Sequence, residues 1–161
     1  MAAAEMIAKL MSARNAAHMA HLKTNSFAAH KALEGFYDEI VDLVDSFAET
    51  YQGIFGLIKE YPDVGLPAGN PVEWIDGLRQ WLKKDREASC KGESPLQNIH
   101  DEIMGLCAHT VYKLKYLDNP AMCGPEMESL EEETNEKPDS GDDATGYDKY
   151  MKMSKWSWTT K

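Results

Sequence analysis

Four side chains within one short stretch could hold a hard metal ion. His30 and Glu34 are four residues apart, and so are Asp45 and Glu49. On a helix each pair projects from adjacent turns of one face, so its two members can reach a common atom. Imidazole combined with carboxylate suits Fe(II), with Mn(II) and Zn(II) as competitors. The chemistry open to such a set is oxidation of bound Fe(II), or sequestration of a divalent ion without redox change.

The surrounding segment, "HKALEGFYDEIVDLVDSFAE" (residues 30–49), carries six carboxylates, with no Lys or Arg between Lys31 and Lys59. A solvated helix face commonly mixes signs for i,i+4 support, so metal cations are a natural source of the missing positive charge. On a wheel of ~100° per residue, Glu34 lies about 40°, Asp45 about 60° and Glu49 about 100° from His30. Leu33, Phe36, Ile40, Leu43, Val44, Phe47 and Tyr51 form an apolar stripe on the opposite side. Asp38 and Asp42 edge the acidic face as cation guides or second-ion ligands. Tyr37 beside them is expected mainly to pack.

The two pairs are separated by about 16 Å along a helix axis, so one helix cannot bring both to a single ion. Two copies running antiparallel about a two-fold axis near Glu39 and Ile40 can. Such a contact is isologous and creates two equivalent sites, each with His30 and Glu34 from one subunit and Asp45 and Glu49 from the other.

The elements that must position these groups are helical. Ile7, Leu10, Met11, Ala17 and Leu22 have helical spacing over about residues 3–23. Residues 24–26 are a loop with N-cap candidates, and a second helix follows over about 27–52, with Gly53 as its C-cap. Residues 53–70 carry four Gly and two Pro, which marks a long connection with a short helical turn around Leu57. Asn70, Pro71 and Glu73 start a third helix that ends near Cys90, and its apolar face is Val72, Ile75, Leu78 and Leu82, with Trp74 and Trp81 beside it. Ser94, Pro95 and Gln97 start a fourth, whose stripe is Ile99, Ile103, Leu106, Val111, Leu114 and Leu117. Short links plus one long crossover between helices 2 and 3 predict an all-α, ferritin-like four-helix bundle over residues 1–118. Residues 119–161 form a separate unit: an acidic linker, then a basic and aromatic C-terminal tail with four Lys, two Tyr, two Met and two Trp over 145–161.

The net charge of −10 repels nucleic-acid phosphate and anionic lipid, so neither is expected as a partner. Three cysteines, Cys90, Cys107 and Cys123, lack zinc-like spacing and read as free thiols of a reducing, cytoplasmic compartment. Cys107 falls at a core-facing position. Charged Glu5, Lys9 and Arg14 interrupt the first helix, so no signal peptide or membrane span is expected. His21, three residues after His18, is a candidate auxiliary ligand but is expected first at a surface or interface, and His100 and His109 are expected to be structural.

His18, His30, Glu34, Asp45 and Glu49 together follow the order His, eleven residues, His, three residues, acid, ten residues, Asp, three residues, Glu. This resembles the ferroxidase signature of the Dps mini-ferritins, and the likeness is carried mainly by residues 10–53. It implies His18, His30 and Glu34 from one subunit and Asp45 and Glu49 from its partner as iron ligands. It further implies a bundle with a short helix in the long connection and a hollow dodecamer built from two-fold dimers. The implied activity is oxidation of Fe(II) by peroxide or O2, with storage of the ferric product. The competing expectation is a non-enzymatic bundle acting as a structural component of a larger assembly. Residues 146–161 would then be its anchor to a protein partner.

Overall fold

The computed structural model describes residues 2–118, so expectations for the tail and for Cys123 lie outside the described residues. Four helices, α1 (Ala2–Lys23), α2 (Phe27–Phe55), α3 (Pro71–Cys90) and α4 (Ser94–Tyr112), account for most of that span. A π-helical turn, Lys113–Leu117, follows α4. No strand occurs among the described residues.

Each helix start has a local cause. Ser26 is extended, and its Oγ accepts the Ala29 N–H at 3.2 Å, satisfying a donor of the first turn of α2. Asn70 does the same for α3, accepting the Val72 N–H at 2.9 Å, with Pro71 at the first helical position. The fourth helix departs from expectation. Glu93, not Ser94, is its N-cap, and no side chain caps it.

The ends follow backbone geometry. Helix α2 runs through Gly53 to Phe55. It stops at Gly56, whose φ of 88° a side chain would resist, while the Gly56 N–H donates to Gln52 O. Gly53 is therefore not the cap, and Leu57 is an exposed coil residue rather than the centre of a helical turn. No helix forms in residues 57–70. Lys91 closes α3 at φ 52° and is followed by Gly92 at φ 78°.

Helix α1 packs on α2 and α3, and α4 packs on the same two. Small residues (Ala3, Ala4, Ala13, Ala16, Ala17) line the buried side of α1 and let its neighbours approach closely. The core is filled by Met6, Leu10, Leu33, Phe36, Ile40, Phe47, Ile75, Leu78, Leu82, Leu96 and Ile103, all fully buried. Each such side chain contributes roughly 1.5–3 kcal/mol of burial energy before entropic costs. Phe36 meets Trp74 edge-to-face at 6.3 Å, joining α2 to α3.

The last residue of each of two predicted stripes falls outside the core. Leu22 and Leu117 are exposed, whereas His100, Cys107 and Thr110 occupy the buried line of α4.

Residues 56–70 travel along α1. Glu60, Tyr61 and Pro62 lie beside Ala4 and Glu5, and the Ser12 hydroxyl donates to Gly65 O. Asn70 and Pro71 arrive beside Ala20 and Lys23. Helices α2 and α3 thus begin at the same end of the bundle.

Candidate metal centre

The three-residue link between α1 and α2 folds the second helix back along the first, so residues equidistant from the link meet. His21 and His30 are such a pair. Their rings stack with centroids 3.6 Å apart and planes 24° apart. Each ring also bonds the other's backbone: His21 Nδ1 donates to His30 O at 2.9 Å, and His30 Nδ1 donates to His21 O at 3.2 Å. A carbonyl oxygen only accepts, so both Nδ1 atoms carry hydrogen. In the neutral ring the lone pair is then at Nε2. Metal-ligating histidines are commonly held this way, with the non-ligating nitrogen donating to a carbonyl.

The cluster extends through Tyr37. Its ring is edge-on to His21 at 5.2 Å and stacked on His18 at 4.2 Å, with planes 19° apart in the latter case. The Arg14 guanidinium lies 5.6 Å from the Tyr37 ring centroid. His18 and His21, one turn apart on α1, have centroids 6.0 Å apart. His21 is buried, whereas His18, His30 and Tyr37 are half-buried. The face of α2 that carries His30 therefore looks towards α1.

The stack limits what the histidines can do together. Lone pairs lie in the ring planes, and two nearly parallel rings in contact cannot aim them at one point. His21 and His30 can each bind an ion in this arrangement, but not the same one.

The carboxylates are arranged along the outer side of α2. Glu34 is half-buried and pairs with Lys31, whose ammonium holds the carboxyl below its ordinary range. Asp38, Asp42, Asp45 and Glu49 are exposed and make no ion pair among the described residues. No three His, Cys, Asp or Glu side chains of the described residues gather closely enough in one chain to hold a metal ion. His30 with Glu34, and Asp45 with Glu49, remain two separate pairs on one helix.

His21, expected first at a surface or interface, is buried against His30, and Tyr37, expected mainly to pack, stacks within the histidine cluster. The available signal was the shortness of the 24–26 link, which fixes which residues of α1 and α2 face each other.

The remaining titratable groups lie elsewhere. His100 is fully buried on α4, and neither ring nitrogen has a partner among the described residues. Burial lowers its pKa. His109, also expected to be structural, is exposed. Burial pushes the Cys90 thiol up to about 11 and the Cys107 thiol up to about 12, so neither is a nucleophile at neutral pH.

A family model of proteins of unknown function, DUF5856, matches residues 21–114. The chain belongs to the DUF5856 family. It is also similar to an uncharacterized 14.6 kDa protein in the mobD–ri intergenic region of Enterobacteria phage T4. The two are 34% identical over 115 residues, covering 70% of this chain and 84% of the phage protein. No solved structure matches. The DUF5856 match contains His21, His30, Glu34, Tyr37, Asp45 and Glu49, and begins after His18. No described helix of this DUF5856 chain is long and apolar enough to cross a membrane.

Proposed function

We propose that this chain is a Dps-like ferroxidase. In this reading it is a ferritin-like bundle that pairs about a two-fold axis, binds Fe(II) between its copies and passes the electrons to peroxide or O2. The observation that carries the reading is the state of His30. Its Nδ1 is committed to a backbone carbonyl, which leaves Nε2 as the ligating atom, and Glu34 follows one turn later on α2. The exposed, unpaired Asp45 and Glu49 supply what a second copy would need. The path of residues 56–70 along α1 supports the ferritin-like topology, with the long crossover between the second and third helices.

Fe(II) is the substrate, and each ion gives up one electron. Two ions together reduce one peroxide to water with two protons from solvent. Carboxylates favour the product because they bind the harder, more highly charged Fe(III) better than Fe(II). Lys31 must release Glu34 for the latter to ligate. Asp38 and Asp42 extend the negative field that attracts cations to the site. Mn(II) and Zn(II) would compete for the same ligands. His18, stacked on Tyr37, completes the set implied by the family likeness, and a hollow dodecamer would retain the ferric product.

The test follows ferric product by absorbance under excess Fe(II) and peroxide. His30→Ala and Asp45→Ala should each fall to the rate of buffer alone. Unchanged rates in both variants remove the proposal.

A second reading has its own support: Glu34 is already paired with Lys31, and His30 is already stacked on His21. These contacts suit a bundle that is a structural component of a larger assembly, anchored by residues 146–161. Deleting those residues would then abolish partner association and leave the helical bundle intact.

A further inference from the structure

Helices α2 and α4 are separated at the surface by a groove of about 510 Å³. Its floor is Leu43, Gly105 and Leu106, and its rim carries Glu39, Asp42 and Glu102, with His109 also on the wall. The floor is open at Gly105, where a Cβ would meet no atom within 4 Å. The three rim carboxylates are exposed and make no ion pair among the described residues. An apolar floor beneath an uncompensated acidic rim fits a segment that presents large apolar side chains between bases.

One segment of the chain has that composition. Residues 146–161 hold Lys149, Lys152, Lys155 and Lys161 against a single acid, Asp148, together with Tyr147, Tyr150, Trp156 and Trp158. We infer that this segment docks in the α2–α4 groove of its own chain, with an indole over Gly105 and lysines against Glu39, Asp42 and Glu102. Reach is sufficient. The described chain ends at Asp118, and Gly105 lies thirteen residues earlier, about 20 Å back along the helical rise. Residues 119–145 could span roughly 90 Å if extended. Paired indoles left in water are otherwise costly, and docking removes that cost.

The inference does not require the ferroxidase reading, but the two share Glu39, near the proposed two-fold axis, and Asp42, part of the cation-attracting field. The groove lies on the α4 side of α2, whereas His30 and Tyr37 lie on the α1 side. It gives the acidic face two uses: metal on one flank, and the basic tail on the other.

The test uses the full chain labelled with 5-fluorotryptophan, its four signals assigned by single Trp→Phe variants. Solvent access is read from broadening by a soluble gadolinium chelate. At least one of Trp156 and Trp158 should broaden several-fold less than free fluorotryptophan. The surface double variant Glu39→Lys/Glu102→Lys should bring that signal to the free limit, and adding Lys152→Glu/Lys155→Glu should restore protection. Gly105→Leu, which fills the floor and favours the helix, should also expose the indole with the far-UV circular dichroism unchanged. Full broadening of both signals in the parent chain overturns the inference, as does protection that both groove variants leave intact. Protection lost on dilution would place the segment on a neighbouring copy and overturn it equally.

Discussion

The two helical hairpins treat histidine in opposite ways. Between α1 and α2, His21 and His30 bond each other's carbonyls, share a ring stack and keep one nitrogen each for other use. In the α3–α4 hairpin, His100 of α4 is buried in the core with neither ring nitrogen bonded among the described residues. A neutral imidazole always carries one N–H, so the second arrangement leaves a buried donor orphaned. The first is what a ligand needs. The second is a stability liability that responds to pH. Partners, not burial alone, separate a histidine prepared for chemistry from one that only fills space.

The largest expected effect tests whether the α1–α2 histidines work across two chains. His30→Ala and Asp45→Ala should each be inactive in Fe(II) oxidation. Co-refolding them in equal amounts should restore about a quarter of the parent sites, because a mixed dimer regenerates one intact site of its two. Activity that never returns on mixing would confine the site to one chain.

Next in size is removal of the orphan. His100→Leu should stabilise the protein at pH 7 by about 1–3 kcal/mol, measured by urea denaturation. The pH dependence sharpens this. Burial lowers the His100 pKa in the folded state, so below the unfolded value of about 6.5 the unfolded chain binds the extra proton. This contribution to stability is complete above that pH and is lost as pH falls towards the lowered folded pKa. His100→Leu should therefore flatten the acid limb of stability below about pH 6.5. An acid limb identical to the parent's would show that His100 is satisfied after all.

The matched change on the other hairpin should have the opposite sign. His21→Phe keeps a ring against His30 but removes the Nδ1–H donor, and should destabilise by about 1 kcal/mol in the same denaturation assay. If it stabilises, the two hairpins do not differ as argued. Smallest is Arg86→Ala, which breaks an exposed two-pronged pair with Asp101 on the α3–α4 surface. It should shift the denaturation midpoint least of these variants, and that shift should fade in high salt.

Much of the fold was legible because local chemistry dictated it. Ser26 and Asn70 cap where their side chains predict, and the α2 stripe from Leu33 to Tyr51 points inward except at half-buried Leu43. The misses arise where tertiary context outweighs local preference. Gly53 could end a helix, but Gly56 does so with its N–H bonded to Gln52, while the Gln52 side chain accepts from Ile58. Ser94 could cap, yet the turn from Cys90 brings Glu93 into that position. The π-helical turn after Tyr112 has no signature in residue type.

The candidate site divides similarly. Spacing along α2 places His30, Glu34, Asp45 and Glu49 on one face, since that depends only on helical periodicity. The stack of His30 on His21, and of Tyr37 on His18, depends on how two helices register across a short link. No single-helix pattern contains that information.

The path of residues 56–70 along α1 also shapes how the chain can fold. Each hairpin closes through a link of only three residues, so α1 with α2, and α3 with α4, can pair from contacts close in sequence. Joining the two requires residues 56–70 to be laid along α1, with Ile58 and Pro67 buried and Ser12 bonded to Gly65. The entropy of closing such a loop grows only slowly with its length. The slow event is therefore expected to be the docking of two preformed hairpins, with Ser12 and Gly65 meeting late.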